Sequence, residues 1–244
     1  MSRYRAIVEY DGTDFLGFQR QAQGRTLQGE IESALQRIGW PGQSILGAGR
    51  TDTGVHAAGQ VIAFDLDWPH GDDSLARALN ANLPADIAVK TISVAEPGFH
   101  PRFRAKARRY RYTIYNAPTR SALAARSSWH IWSKLDMNKM QAAAQALKGT
   151  HDFAAFGTDP DDGVNTVRTI TQAEWTAAQE WLYFDIEADA FLYRMVRSLV
   201  AALRRVGAGG LTVAGFQTLL EARDRAQCPP IAPPQGLCLM EVIF

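Results

Sequence analysis

Between Arg3 and Tyr10 the residues Tyr4, Ala6, Val8 and Tyr10 alternate with Arg3, Arg5, Ile7 and Glu9, a period of 2 that predicts a strand ending at the Asp11-Gly12 turn. The period then changes. Leu27, Ile31, Leu35 and Ile38 recur at helical spacing and predict a helix over 27–38, closed by Gly39. Ala58 to Leu66 reads as a strand, Ser74 to Leu83 as a helix stopped by Pro84, and Ile87 to Ala95 and Ala107 to Asn116 as further strands. Beyond Pro118 a similar order returns: a helix over about 137–148, a hairpin over about 166–188, a helix from Phe191 to Val206, a short helix over 213–222 and a last strand over 237–244. Pro229-Pro230-Ile231-Ala232-Pro233-Pro234 predicts an extended connection, because proline removes donors and disfavours helix before it. Hairpins mixed with crossover helices imply an α+β fold with a largely antiparallel sheet and helices packed against it. The pattern divides into halves at 1–118 and 119–244. No residue-level repeat relates them, so any duplication would be structural.

Within this framework, one stretch is too rich in glycine for regular structure: Gly47-Ala48-Gly49-Arg50-Thr51-Asp52-Thr53-Gly54-Val55-His56-Ala57-Ala58-Gly59. Glycine reaches positive φ without steric cost, so these residues mark a sharply turning loop whose backbone a ligand can approach. Asp52 would be displayed there, and the guanidinium of Arg50 two residues away favours an ionised carboxylate, as suits a nucleophile or general base. The same residues also fit an Asx-turn with Arg50 solvated.

Composition narrows the partners. With 46% apolar residues, the 244-residue chain can bury a substantial core, and its formal net charge is only +1. No apolar run reaches the ~18 residues of a membrane span, and Met1-Ser2-Arg3-Tyr4-Arg5 lacks the apolar core of a signal peptide, so a cytoplasmic location is expected. Cys228 and Cys238 are expected as free thiols. The five histidines show no ligand spacing, and no protein-held metal is expected. A nucleic-acid partner then requires local concentration of positive charge. From Arg102 to Tyr112 six residues are basic and none is acidic. In a strand, Lys106, Arg108, Tyr110, Tyr112 and Ile114 share one side, placing rings beside cations as a nucleobase and its phosphate would require. A protected edge strand gives the same pattern. Along the helix over 191–206, Leu192, Met195, Val196, Leu199, Leu203 and Val206 form an apolar stripe, with Arg194, Arg197, Arg204 and Arg205 gathered opposite on a face that reads as solvated.

Three function classes compete on these residues. Asp52-Thr53-Gly54 matches the short aspartic-peptidase motif, but that chemistry needs two carboxylates sharing a proton, and Asp161-Asp162-Gly163 is not an equivalent copy. A non-catalytic RNA-binding module would use the basic aromatic strand, although Tyr110-Arg111-Tyr112 lacks the glycine and phenylalanine framework of the RRM signature. The third class is an enzyme acting on a nucleotide within RNA.

Gly49 to His56, together with Tyr10-Asp11-Gly12, Gly17-Phe18-Gln19-Arg20-Gln21, Ala81-Asn82-Leu83-Pro84, Arg108 to Tyr112, Phe191 to Arg197 and Gly236-Leu237, closely resembles the tRNA pseudouridine synthase A family. The resemblance runs from Tyr10 to the C-terminus. Departures are small: Phe18 stands where tryptophan is common, Thr53 where alanine is common and Ser198 where asparagine is frequent. The resemblance implies isomerisation of uridine to pseudouridine at positions 38, 39 and 40 of the tRNA anticodon stem-loop, without cofactor or catalytic metal. It also implies a homodimer whose subunit joins two ferredoxin-like halves in one mixed, largely antiparallel sheet, the pseudouridine synthase fold. On the same basis Asp52 is the catalytic carboxylate, attacking base or sugar or abstracting a sugar proton. Tyr110 stacks on the flipped uracil, Arg197 pairs with the aspartate, and Arg50 acts as a wedge or phosphate contact. Gln60 and His56 are expected to shape the loop or lie near the substrate. The single carboxylate fits this chemistry. Uracil leaves C1′ through N1 and returns through C5, so no second acid is needed to activate water as in glycoside hydrolysis.

Overall fold

The computed structural model describes residues 1–158 and 165–244, so Asp161-Asp162-Gly163 lies outside the described residues. The chain forms two compact units, Met1–Lys106 with Cys238–Phe244, and Ala107–Leu237. These bounds differ from an expected division at Pro118. The strand Ala107–Tyr115 pairs with Trp181–Ala188 from Arg108 to Tyr115, which assigns it to the second unit, whereas the C-terminal strand pairs with the first.

Unit 1 begins with β1 (Ser2–Tyr10), α1 (Leu27–Arg37), β2 (Leu46–Gly47), β3 (His56–Leu66), α2 (Asp72–Asn82), β4 (Ile87–Val94) and the short α3 (Pro101–Arg104). Its strands lie in the order β4-β1-β3-β2, each neighbour antiparallel. With α1 between β1 and β2 and α2 between β3 and β4, this is the ferredoxin-like plan, although β2 is only two residues long. The periodicities explain the packing. Leu27, Ile31 and Leu35 of α1 are fully buried, and Tyr4, Ala6, Val8 and Tyr10 form the inward face of β1. Thr26 caps α1 by accepting from Gly29 N, and α2 ends where Leu83 turns extended before Pro84. β3 starts two residues earlier than its alternation predicts, because Ala57 pairs with Tyr10.

Unit 2 comprises β5 (Ala107–Tyr115), β6 (Trp129–His130), α4 (Met137–Gln145), β7 (Gly149–Asp152), β8 (Val167–Ala178), β9 (Trp181–Ala188), α5 (Met195–Gly207) and α6 (Val213–Ala222). Its strand order is β5-β9-β8-β7, all antiparallel, with β6 parallel on β5. The succession β5, α4, β8, β9, α5, with β9 between β5 and β8, repeats the first three strands and both helices of unit 1's plan. The duplication is therefore structural. Strand β10 (Leu237–Ile243) pairs parallel with β3 through Cys238↔His56 and Leu239↔Ala57. Both units are α+β with mostly antiparallel strands. Cys228 and Cys238 form no disulfide among the described residues, and no helix among them is long and apolar enough to cross a membrane.

Two sequence expectations require correction. Helix α5 starts at Met195 rather than Phe191: Tyr193 N donates to Thr158 O at 2.8 Å, and Arg194 adopts a left-handed conformation with φ 62°. The arginine face of α5 is also not uniformly solvated. Arg204 and Arg205 sit in its last turn, where positive charge suits the helix dipole, but Arg197 is only 8% exposed. The proline-rich segment seals it over. Arg197 Nε donates to Ala232 O at 2.8 Å, and Ala232 N donates back to Arg197 O at 3.1 Å.

The basic aromatic strand is likewise more structural than its sequence suggests. Tyr112 is fully buried, and its hydroxyl donates to Pro233 O at 2.8 Å. Burial pushes its phenol far above the usual range, against a smaller opposing effect of Arg197, so it remains a donor. Tyr112→Phe would remove the donor from the part-buried carbonyl of Pro233, and a loss of about 1–2 kcal/mol is expected, seen as a melting temperature lower by roughly 2–8 °C.

Candidate active site

The glycine-rich loop joins β2 to β3, and its geometry alternates between held and displayed residues. Gly49 and Thr51 are held. Gln60, fully buried on β3, donates from Nε2 to Gly49 O at 2.9 Å, and the Thr51 hydroxyl lies 2.8 Å from that of Tyr10 at the end of β1. Phe18 N donates to Thr51 O at 3.0 Å. Between and beyond these anchors, Arg50 is exposed and Asp52 half-buried. The turn that follows is closed by a main-chain bond, Val55 N to Asp52 O at 3.1 Å.

Close backbone approach explains two of the glycines. Gly17 has φ +95°, and a Cβ there would stand 2.8 Å from Thr51 O. A Cβ on Gly12 would stand 2.0 Å from Val55 O. Gly12 N also donates to His56 Nδ1 at 3.1 Å. The Asp11 carboxylate also lies 3.1 Å from Nδ1 and accepts from Thr13 N at 3.0 Å. His56 and Gln60 thus shape the loop. Gly12→Ala is expected to displace the 52–56 turn and destabilise the chain by about 1–3 kcal/mol, as overpacking typically does; paired thermal melts of the variant and the parent chain check it.

The loop's footing reaches into α1. Leu27 N donates to Gly17 O and Gln28 N to Phe18 O, at 3.2 and 2.9 Å. Buried Glu32 accepts from Gln28 Nε2, Ile45 N and Arg20 Nη1 at 2.8, 3.1 and 2.8 Å. The Gly17-to-Gln21 segment is therefore an anchor for the loop that carries Asp52.

In unit 2, Tyr110 is half-buried on β5, and its ring meets Phe191 edge to face at 5.1 Å and 87°. Arg194 stacks on Tyr193 with its guanidinium carbon 4.7 Å from the ring centre. Of the six basic residues expected to gather here, Arg109 and Arg111 instead lie opposite β9 carboxylates, donating to Glu187 and Asp185 at 2.8 Å. Arg104 pairs with Glu96 at 2.9 Å, and Arg108 donates to Asp189 O at 2.8 Å. With Tyr112 in the core, Tyr110 is the strand's partly exposed ring on that side. Sequence alternation marked both tyrosines alike; contacts remote in sequence, with Trp129, Pro233 and Gly236, separate Tyr112 from Tyr110. Among the described residues no group of three His, Cys, Asp or Glu side chains is placed to hold a metal ion.

Asp52 and Arg50 thus belong to unit 1, Tyr110 and Arg197 to unit 2. A model of the tRNA pseudouridine synthase family matches residues 6–104 and 143–244. Curated relatives match end to end. tRNA pseudouridine synthase A of Syntrophotalea carbinolica is 41% identical over 244 residues, covering 100% of this chain and 97% of the relative. Those of Pseudothermotoga lettingae and Caulobacter vibrioides are 42% and 44% identical, covering 100% and 99% of this chain and 100% and 98% of the relatives. The chain belongs to the tRNA pseudouridine synthase family, and it is an isomerase.

Proposed function

We propose that this chain isomerises uridine to pseudouridine at positions 38, 39 and 40 in the anticodon stem-loop of tRNA, acting as a cytoplasmic homodimer without cofactor. The observation that carries the reading is the display of Asp52 and Arg50 on a loop whose intervening and preceding residues are pinned to buried side chains. Family membership supplies the chemistry. The C1′–N1 bond of uridine breaks, the base turns, C1′ joins C5, the C5 proton leaves and N1 gains one. Asp52 is assigned as the catalytic carboxylate.

A uridine within a stem-loop is stacked or paired, and extruding it costs a few kcal/mol. Tyr110 is assigned to receive it, since stacking of a base on an aromatic ring is worth about 1–3 kcal/mol and offsets much of that cost. Arg50, exposed beside Asp52, is assigned to the opened RNA as wedge or phosphate contact. Arg197 is assigned as the partner of the Asp52 carboxylate, as the family resemblance implies. A two-fold dimer would bring two sets of basic side chains to one tRNA and focus positive potential that a net charge of +1 does not supply.

Unmodified tRNA transcripts carrying uridine at 38, 39 or 40 alone test the positions. Pseudouridine mapped by carbodiimide adducts is expected at each of the three. Modification confined to uridines outside the anticodon stem-loop would overturn the positional reading and leave the isomerase standing.

A further inference from the structure

The alternation in the catalytic loop has a specific mechanical origin. Residue 51 is fixed at two of its polar groups: its carbonyl accepts from Phe18 N at 3.0 Å and its hydroxyl meets that of Tyr10 at 2.8 Å. Thr51 and Tyr10 are 6% and 3% exposed. Tyr10 is the last residue of the central strand β1, and β3 contributes Gln60, which ties down Gly49 O two residues upstream of Thr51. Asp52 follows Thr51 directly, and main-chain dihedrals set at 51 fix where its Cβ points. The Tyr10 ring would fill its place in the core with or without a hydroxyl; the hydroxyl meets Thr51 Oγ1 and, at a long 3.5 Å, accepts from Gln60 Nε2.

We propose that the Tyr10–Thr51 hydroxyl bridge is a positioning pair that sets the Asp52 carboxylate for reaction, with Gln60 bracing the same loop. Neither hydroxyl is assigned contact with the RNA. The inference rests on the isomerase reading above, in which Asp52 is the reacting carboxylate. Misplacing a catalytic group by about 1 Å costs on the order of a hundredfold in rate, so a tether of this kind acts on turnover more than on binding.

Tyr10→Phe, Thr51→Val and Thr51→Ser, with the Tyr10→Phe/Thr51→Val double variant, test it in steady-state assays on tRNA. Tyr10→Phe and Thr51→Val are each expected to lower kcat by about ten- to a hundredfold with KM for tRNA within about threefold. Thr51→Ser keeps the hydroxyl and is expected to restore kcat to near the parent value. Because both single changes break one bond, the double variant is expected to be no slower than the worse single variant. Thermal melts taken alongside establish that each variant is folded at the assay temperature. Unchanged kcat in folded Tyr10→Phe, multiplicative losses in the double variant, or no rescue by serine would each overturn the positioning role. These outcomes differ from failure of the isomerase reading, in which the parent chain itself forms no pseudouridine.

Discussion

Asp52→Asn is expected to abolish pseudouridine formation, lowering turnover by roughly four orders of magnitude, while tRNA affinity stays within a few-fold of the parent chain. A loss of this size accompanies removal of the central group from a preorganised site. The substitution is nearly isosteric, and the surrounding turn is closed by Val55 N on the Asp52 carbonyl, a main-chain bond the variant keeps. The loop's anchors at Gly49 and Thr51 are likewise untouched. What changes is the charge and basicity of one side chain. Turnover assays with filter binding on the same preparation check both halves of the expectation. Product formation at the parent rate would remove Asp52 from the chemistry, and loss of binding together with turnover would show that the loop serves the RNA rather than the reaction.

The second large effect concerns Tyr110. Tyr110→Ala removes the ring assigned to the flipped base, forfeiting about 1–3 kcal/mol of stacking, which corresponds to roughly five- to 150-fold in kcat/KM. Tyr110→Phe keeps the ring and its edge-to-face contact with Phe191. It is therefore expected to retain affinity for tRNA, and any slowing it shows reports on the hydroxyl and proton transfer at C5. The contrast between the two variants is the informative quantity. Equal affinities and equal rates for alanine and phenylalanine would refute stacking as the role of this residue.

The sequence revealed the elements that local periodicity controls. β1, α1, α2, β4, β5, the β8–β9 hairpin, α6 and β10 lie where alternation or helical spacing places them, because each buries one face and exposes the other. Strands β2 and β6 escaped notice because two residues carry no period. The start of α5 was hidden for a different reason: the left-handed Arg194 and the Thr158–Tyr193 bridge arise from tertiary pairing, not local preference. The same limit applied to the site. Glycine spacing exposed the loop and the carboxylate on it. It could not show that Arg197 is buried, since the covering segment Pro229 to Pro234 lies more than thirty residues away along the chain. Nor could charge counting show that Arg109 and Arg111 lie opposite Glu187 and Asp185, a consequence of cross-strand register. Tyr10 and Gln60 were legible as core and loop residues. Their common attachment to the two residues flanking Arg50 required coordinates.

Release of tritium from tRNA labelled at C5 of uridine tests the isomerase reading most directly, because C1′ can join C5 only if the C5 hydrogen leaves. Incubation with the purified chain is expected to release tritium in proportion to pseudouridine formed, and the Asp52→Asn chain is expected to release none above background. A folded parent chain that binds tRNA and releases no tritium from any tRNA offered would contradict the account and leave a non-catalytic RNA-binding protein in its place.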